Sequence, residues 1–414
     1  MRIKSITARE ILNSRGWPAV EARVELENGV SARSGVPSGA STGAHEAHEL
    51  TDGGARLQGR GVLNAVNNIC GPINERLRGM DAAAQRDIDD AMCALDGSSN
   101  LSRLGANAIL AVSTACAKAA ARERGQELFE YLGGGAGKML PMPFMNVING
   151  GAHAANNVDI QEFMLVPVSA SSVTDGVFMC AEVYQALRSL LKEKCLSVAV
   201  GDEGGFAPDI DDDERALEFM EQAVIRAGLV PGRDVSFALD VAASAWLTDK
   251  GEYLMPKRGI CLSREDLMRH ITGIVGRHPI ISVEDPLHED DFGGFAELRR
   301  RLGKTLIVGD DLFVTNRERV EKGAKMGSAT ALLMKPNQAG TLSRAMDAAR
   351  TAQAAGMEVI VSHRSGETNS SVIADIGVSL GAKYIKAGAP CRGERVAKYN
   401  RLMAIEKKIC AQSE

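Results

Sequence analysis

The chain has 414 residues, 45% of them hydrophobic and 24% charged, with a formal net charge of -5. That length exceeds one small core and predicts two domains, while the composition is that of a soluble globular protein. A mildly acidic chain has no bulk positive charge for a nucleic acid, although a local basic pocket can still take an anionic substrate.

The N-terminal MRIKSITAREIL lacks the apolar segment of a signal peptide, and no apolar run approaches the length of a membrane span. Eight cysteines are scattered without a CxxC pair or a zinc-like His/Cys spacing. Contexts such as STACAKAAA predict that most are small buried thiols in a reducing compartment. A cytoplasmic protein with neither nucleic-acid nor membrane partners is expected.

In chain order, the first stretch alternates as strands do, and VELENGVSARSGV places Asn28-Gly29 between two such runs, a hairpin signal. Helical patterns follow at 59–78, 82–95 and, in an Ala-rich stretch, 106–125. These elements predict an α+β capping domain over 1–133, and GGGAGKMLPMP (133–143) is the best linker candidate, leading into a second domain at 142–414.

Beyond the linker, apolar runs of strand length recur, each ending in a polar or charged group: SVAVGDE (Glu203), FALD (Asp240), IISVED (Glu284), TLIVGDD (Asp310), ALLMK (Lys335), EVIVSHR (Arg364) and KYIK (Lys386). Asp240, Glu284, Asp310 and Lys335 are spaced by 44, 26 and 25 residues, with helical patterns between. Such spacing fits βα units around a sheet buried on both faces. Eight units close a barrel with functional groups at the C-terminal strand ends, whereas a doubly wound sheet would gather ligands at one switch point. Functional residues at seven strand ends favour the β/α barrel.

Three carboxylates, Asp240, Glu284 and Asp310, would then face one volume and repel one another unless a cation joined them. Oxygen-only ligands suit Mg²⁺. Each acid alone is equally well read as a helix N-cap; the three together favour a metal. Lys335, among apolar neighbours, is either a base with a depressed pKa or a lysine paired to one of those acids. Glu203, flanked by glycines that allow close backbone approach, is a candidate acid, and Arg364 and Lys386 offer charge to a phosphate or carboxylate. Base, acid, metal cage and anion clamp together suit removal of a proton next to a carboxylate.

Other signals carry less. GGGAGKM and LGKT lack the full phosphate-loop pattern. The acidic run DIDDDE (209–214) is expected to decorate a helix start, and His270, His278 and His288 are expected at the surface.

The chain resembles the enolase family up to about Glu406. The resemblance is carried by VPSGASTGAHEA (36–47), LGANAILAVS (104–113), NGGAHAANNVDIQEFM (149–164), VGDEGGFAP (200–208), ALDVAAS (238–244), SVEDPLHEDD (282–291), VGDDLFVTN (308–316), KPNQAGT (335–341), SHRSGET (362–368) and RVAKYN (395–400). It implies an α+β cap before an irregular eight-stranded barrel, and a Mg²⁺-dependent dehydration of 2-phosphoglycerate to phosphoenolpyruvate. Lys335 would take the C2 proton and Glu203 would protonate the departing C3 hydroxyl. Asp240, Glu284 and Asp310 would hold one Mg²⁺, and Ser41, in a Gly/Ser loop at 37–43 acting as a mobile lid, would help hold a second. Substrate contacts would fall to His153, Gln161, Glu162, His363, Arg364, Ser365 and Lys386.

The sequence departs from the family at Asn13, Trp17, Ala19, Ala155, Ala245, Ala339, Asn369, Ser370 and Ala404, several of them losing an acid or an ion-pair partner. Either the chain is a drifted enolase, or it is a paralogue for a related phosphorylated carboxylate, such as a carboxyphosphonoenolpyruvate synthase of phosphonate biosynthesis. Family members pair as dimers. A homodimer is expected here too, although Ala404 removes an arginine that belongs with that contact and Trp17 would have to compensate with apolar area.

Overall fold

The computed structural model of the protein describes residues 1–39, 43–134 and 139–411. Strands β1 (Ile3–Leu12), β2 (Pro18–Leu26) and β3 (Ser31–Gly35) form an antiparallel sheet in that order. The Asn28-Gly29 hairpin forms as the sequence predicts: Glu25 pairs with Ser31, and Gly29 takes a φ of +87°, a left-handed conformation that costs glycine little. Every second residue of β2 from Val20 is buried, and this face packs on the helix Ala106–Glu123. That helix is apolar nearly all round and buried nearly throughout, because it is wedged between the small sheet and the helices of the barrel.

The helical pattern at 59–78 forms as Leu63–Asn68, a wide turn at Ile69–Ile73 and Asn74–Leu77. Pro72 sits in the wide turn, where an extra residue relieves the clash between its ring and the preceding carbonyls. The pattern at 82–95 becomes the helix Gln85–Asp96. Of the linker candidate at 133–143, residues 135–138 lie outside the described residues.

The remainder is a closed barrel. Its strands in chain order are β4 (Met142–Asn149), β5 (Glu162–Val166), β6 (Ser236–Asp240), β9 (Ile280–Glu284), β10 (Leu306–Gly309), β11 (Ala331–Met334), β12 (Glu358–Ser362) and β13 (Tyr384–Lys386). A small hairpin, β7 (Tyr253–Met255) and β8 (Ile260–Leu262), lies outside it between β6 and β9. That hairpin and the helix Arg264–Arg277 account for the long spacing between Asp240 and Glu284. Phe144, Met164, Val166, Ala238, Val308, Leu333 and Ile360 fill the barrel interior, so chemistry is confined to its mouth.

The eight strands are not the set expected from the sequence. SVAVGDE is a loop joined only by single bridges, Val200 and Ile148 each to Phe206. β4 and β5 take its place. β5 escapes notice because it runs antiparallel to both neighbours, so its polar residue Glu162 stands at its start rather than its end. β4 ends in the neutral Asn149.

Three further expectations need correction. Only Cys116 and Cys180 are buried; Cys70, Cys195, Cys261 and Cys410 are exposed, because their helix, turn or, for Cys261, the outlying strand β8 presents them to solvent. His278 is largely buried and shared between Glu221 and Glu214, His270 is half-buried, and His288 accepts the backbone N–H of Asp290. Of the acidic run, Asp212 caps the helix Asp213–Arg226 as expected, but Asp213 is buried. Its carboxylate accepts the N–H groups of Asp159 and Ile160 and pairs with Arg258 at 2.7 Å, while Arg258 also holds Asp159. Among the described residues, no helix is long and apolar enough to cross a membrane.

Candidate active site

Strand register builds the site. Asn149 pairs with Glu162, Glu162 with Asp240 and Asp240 with Glu284, so three acids stand side by side at one level of the barrel. Asp310 follows β10 and Lys335 follows β11, while Lys386 closes β13 opposite Ser362. One pocket at this mouth is lined by His153, Gln161, Glu162, Glu203, Asp240, Asp310, Lys335, His363, Arg364, Ser365 and Lys386. Glu284 does not line it but is buried and bonded to Lys386. Ser41 lies outside the described residues, as do its neighbours at 40 and 42 in the loop read as a lid.

None of the three acids caps a helix with its side chain. The Lys386 ammonium lies 3.0 Å from Asp240 Oδ2, 2.9 Å from both oxygens of Glu284 and 3.3 Å from Glu162 Oε1. Gln161 also donates to Asp240. Lys335 donates to Asp310 Oδ2, and Gln338 donates to Asp310 Oδ1 at 2.9 Å. Burial, the largest influence, would lower the pKa of Lys335, but the carboxylates around it, Asp310 foremost, together outweigh burial and hold the ammonium above its ordinary range. The depressed pKa expected of a base is therefore not found; Lys335 is the paired lysine.

Across the pocket, Glu203 stands in a turn in which a Cβ at Gly204 would meet the Cys391 carbonyl at 2.8 Å and one at Gly205 the Asn149 amide at 2.5 Å. Glycine is required there for the backbone to enter the mouth. Ser365 donates to Glu203 Oε1 at 3.0 Å and Asn146 to Oε2 at 3.2 Å. Burial would raise the Glu203 carboxyl, but His363 and His153 outweigh it and hold it well below the usual range. Glu162 behaves oppositely: burial and the nearby Glu203 push its carboxyl well up. His153 Nδ1 lies between them, 3.6 Å from Glu162 and 3.8 Å from Glu203. Two acids pushed apart in this way can carry one proton between them in a water-poor site.

Several functional side chains were not foreseen. Glu46 reaches in from the N-terminal region to pair with Arg364 at 2.8 Å, and Asn337 also accepts from Arg364. Asp285 and Asp311, the second acids of the VEDP and GDDL runs, line the same pocket; the doubling of acids at those strand ends was the available signal. Asp285 accepts the N–H groups of Asp310 and Asp311, which fixes the turn after β10. Behind the SHRSGET turn, the helix Gly393–Ala411 contributes Lys398, fully buried and 2.8 Å from Glu367, and Arg395.

The residues present fit a divalent cation. The pocket is lined by seven carboxylates against three permanent cations, Lys335, Arg364 and Lys386, an excess of buried negative charge. Burial and Asp240 push the Glu284 carboxyl well up, and Glu162 Oε2 has no hydrogen-bond partner. Asp285, Asp310 and Asp311 bring ligand oxygens within 4.8 Å of one another, as do His153, Glu162 and Glu203 with their ligand atoms. The all-oxygen group of Asp285, Asp310 and Asp311 suits a hard ion, whereas the other adds a nitrogen from His153.

Residues 3–132 match the family description "Enolase, N-terminal domain", and residues 137–414 match "Enolase, C-terminal TIM barrel domain". The chain belongs to the enolase family. Its barrel carries an enolase-type acidic mouth, and the positions at which this enolase departs from its relatives can now be placed. Ala155, Ala245, Asn369 and Ala404 are exposed. Ala339 is buried in the short helix Pro336–Ala339, and Ala19 in β2. Asn13 accepts the N–H groups of Arg15 and Trp17 and donates to Ser38 at 2.8 Å, and Trp17 lies under the Arg60 guanidinium. None of these side chains lines the pocket at the barrel mouth.

Proposed function

We propose that this enolase-family protein interconverts 2-phosphoglycerate and phosphoenolpyruvate with Mg²⁺, as a hydro-lyase. The reading is supported chiefly by the placement of the departures: the pocket wall consists of residues the family uses, and the altered positions lie away from it. Lys335 removes the C2 proton, and the proton that the Glu162–Glu203 pair carries, resting on Glu162, passes by way of Glu203 to the leaving C3 hydroxyl. Arg364 and Ser365 take the phosphate, with Glu46 giving way as the anion arrives. A divalent ion held by Asp240, Glu284 and Asp310 supplies, when bound, Lewis-acid charge for the carboxylate oxygens; a second would draw on Ser41. Lys386, His363 and Gln161 orient the substrate from the remaining sides.

One observation favours the alternative, a phosphonate-pathway paralogue. Ser370 borders an apolar cavity that also reaches Arg364, the residue assigned to the phosphate. The deciding experiment supplies purified protein with Mg²⁺ and 2-phosphoglycerate and follows ultraviolet absorbance of the enol product. Turnover at an ordinary enzyme rate is expected, roughly 1–10³ per second. No turnover from folded protein would transfer the reading to the paralogue.

The same reading carries a homodimer. Leu12, 71% exposed, and the half-buried Trp17 lie at the β1–β2 turn, apolar area that a second copy would cover. Sedimentation should give twice the 44.0 kDa chain mass, and a single-chain mass would overturn the pairing.

A further inference from the structure

Arg395 is 0% exposed, and its ion pair is with its chain neighbour Glu394, Nε lying 3.4 Å from Oε1. Its hydrogen bonds are spent on the turn that carries the anion-binding residues. Nη1 lies 2.6 Å from the Arg364 carbonyl and 2.6 Å from His363 Nδ1; Nη2 lies 2.6 Å from the Ser365 carbonyl and 3.0 Å from that of Asp202. A guanidinium has only donors, so the bond to Nδ1 has one possible direction. Nδ1 must be the bare nitrogen, and the ring proton of a neutral His363 must sit on Nε2.

The charged groups around the ring agree with a neutral imidazole. Glu203 faces it from the loop after Gly201, Arg395 from the C-terminal helix and Glu367 from its own turn, while its backbone N–H donates to the Lys386 carbonyl. Burial pushes the ring down to about 4; Glu203 opposes this and Arg395 adds to it. Nε2 points into the pocket, 3.4 Å from Glu203 Oε2, and has no closer partner. That is long for a hydrogen bond and leaves a buried donor aimed where the reaction takes place.

We propose that Arg395 is a positioning residue that locks His363 as the neutral Nε2–H tautomer, so that His363 serves the site only as a hydrogen-bond donor beside Glu203. Its importance for dehydration rests on the function proposed above. In that role the N–H stabilises negative charge on Glu203 or on a substrate oxygen, and His363 neither gives up nor takes a proton during turnover.

The test is a long-range ¹H–¹⁵N correlation on the full-length protein with ¹⁵N-labelled histidine, the His363 signals being identified by their loss in His363→Gln. The wild type should show one neutral Nε2–H ring with no titration between about pH 5.5 and 8. An Nδ1–H tautomer, or a charged ring at neutral pH, would overturn the proposal. Arg395→Met should release the ring into a mixture of tautomers titrating nearer the ordinary value, and add an ionisation to the acid limb of kcat. It should lower kcat by about tenfold or more with KM little changed. Arg395→Lys, which keeps a donor, should restore the Nε2–H signal. An unchanged ring in Arg395→Met would also sink the assignment. If that variant fails to fold, the wild-type spectrum decides alone. The spectrum needs no substrate, so a failure of the 2-phosphoglycerate assay and a failure of this inference remain distinguishable.

Discussion

Lys335→Ala should slow exchange of the C2 proton of 2-phosphoglycerate with solvent by roughly 10⁴-fold, the upper range for loss of a positioned base. Deuterium incorporation in heavy water, followed by NMR, reads this step apart from dehydration. The expectation has to meet the fact that the Lys335 ammonium is stabilised, not destabilised, by its surroundings. Two effects oppose each other on Lys335: burial favours the free amine, and the contact with Asp310 favours the ammonium. Once the Asp310 carboxylate is engaged elsewhere, burial and the charges of Arg364 and Lys386 favour the amine, opposed by the smaller influence of Glu284. If Lys335 is the base, engagement of Asp310 should therefore lower its pKa. Glu203→Gln supplies the contrast: exchange should persist while dehydration stops. Exchange persisting in Lys335→Ala would remove that lysine as the base, and loss of both steps in Glu203→Gln would contradict the division of roles.

Lys386→Met should cost about 3–5 kcal/mol of stability at neutral pH, the usual penalty for removing one partner from a buried charge cluster. Lys386 is 2% exposed and is the shared counter-ion of Asp240, Glu284 and Glu162. Its own pKa is lowered by burial but raised well above the ordinary value by those carboxylates, so its contribution persists throughout the neutral range and fades only at strongly alkaline pH. The Glu284 and Glu162 carboxyls, already raised, would rise further in the variant. An acid with a raised folded pKa loses stability as pH climbs, so the deficit should shrink toward acid pH. Mg²⁺ should also raise the melting temperature of Lys386→Met more than that of the wild type, because the metal and the ammonium neutralise the same oxygens. A variant as stable as wild type in chelator would show that the carboxylates do not depend on Lys386.

Much of the barrel was legible because a parallel strand announces itself twice, by an apolar run and by the polar group where it meets the mouth. Asp240, Glu284, Asp310, Lys335 and Lys386 were all found in this way. β5 gave no such notice, since reversal puts its acid first, and the loop bearing Glu203 imitated a strand because VAV is apolar without pairing along its length. Contacts from distant segments were the least legible. Glu46 meets Arg364 across 318 positions of sequence and Arg395 meets His363 across 32, and no periodicity within either segment records the partner. Which acid of each pair turns inward was equally hidden. Asp285, with a φ of +41°, lines the pocket and holds the next turn, whereas Glu284 before it is buried against Lys386.

The reversal of β5 also divides the mouth for anyone wishing to graft new specificity onto this scaffold. Behind a parallel strand the functional residue comes first and the loop afterwards, so a replaced loop leaves its anchor fixed by strand pairing. Before β5 the order is inverted: the segment 150–161 is traversed first, and its path delivers Gln161 and Glu162. The buried tie of Asp159 and Asp213 to Arg258 then works as a surveyor's peg for that delivery. Length changes in that segment are transmitted to the chemistry.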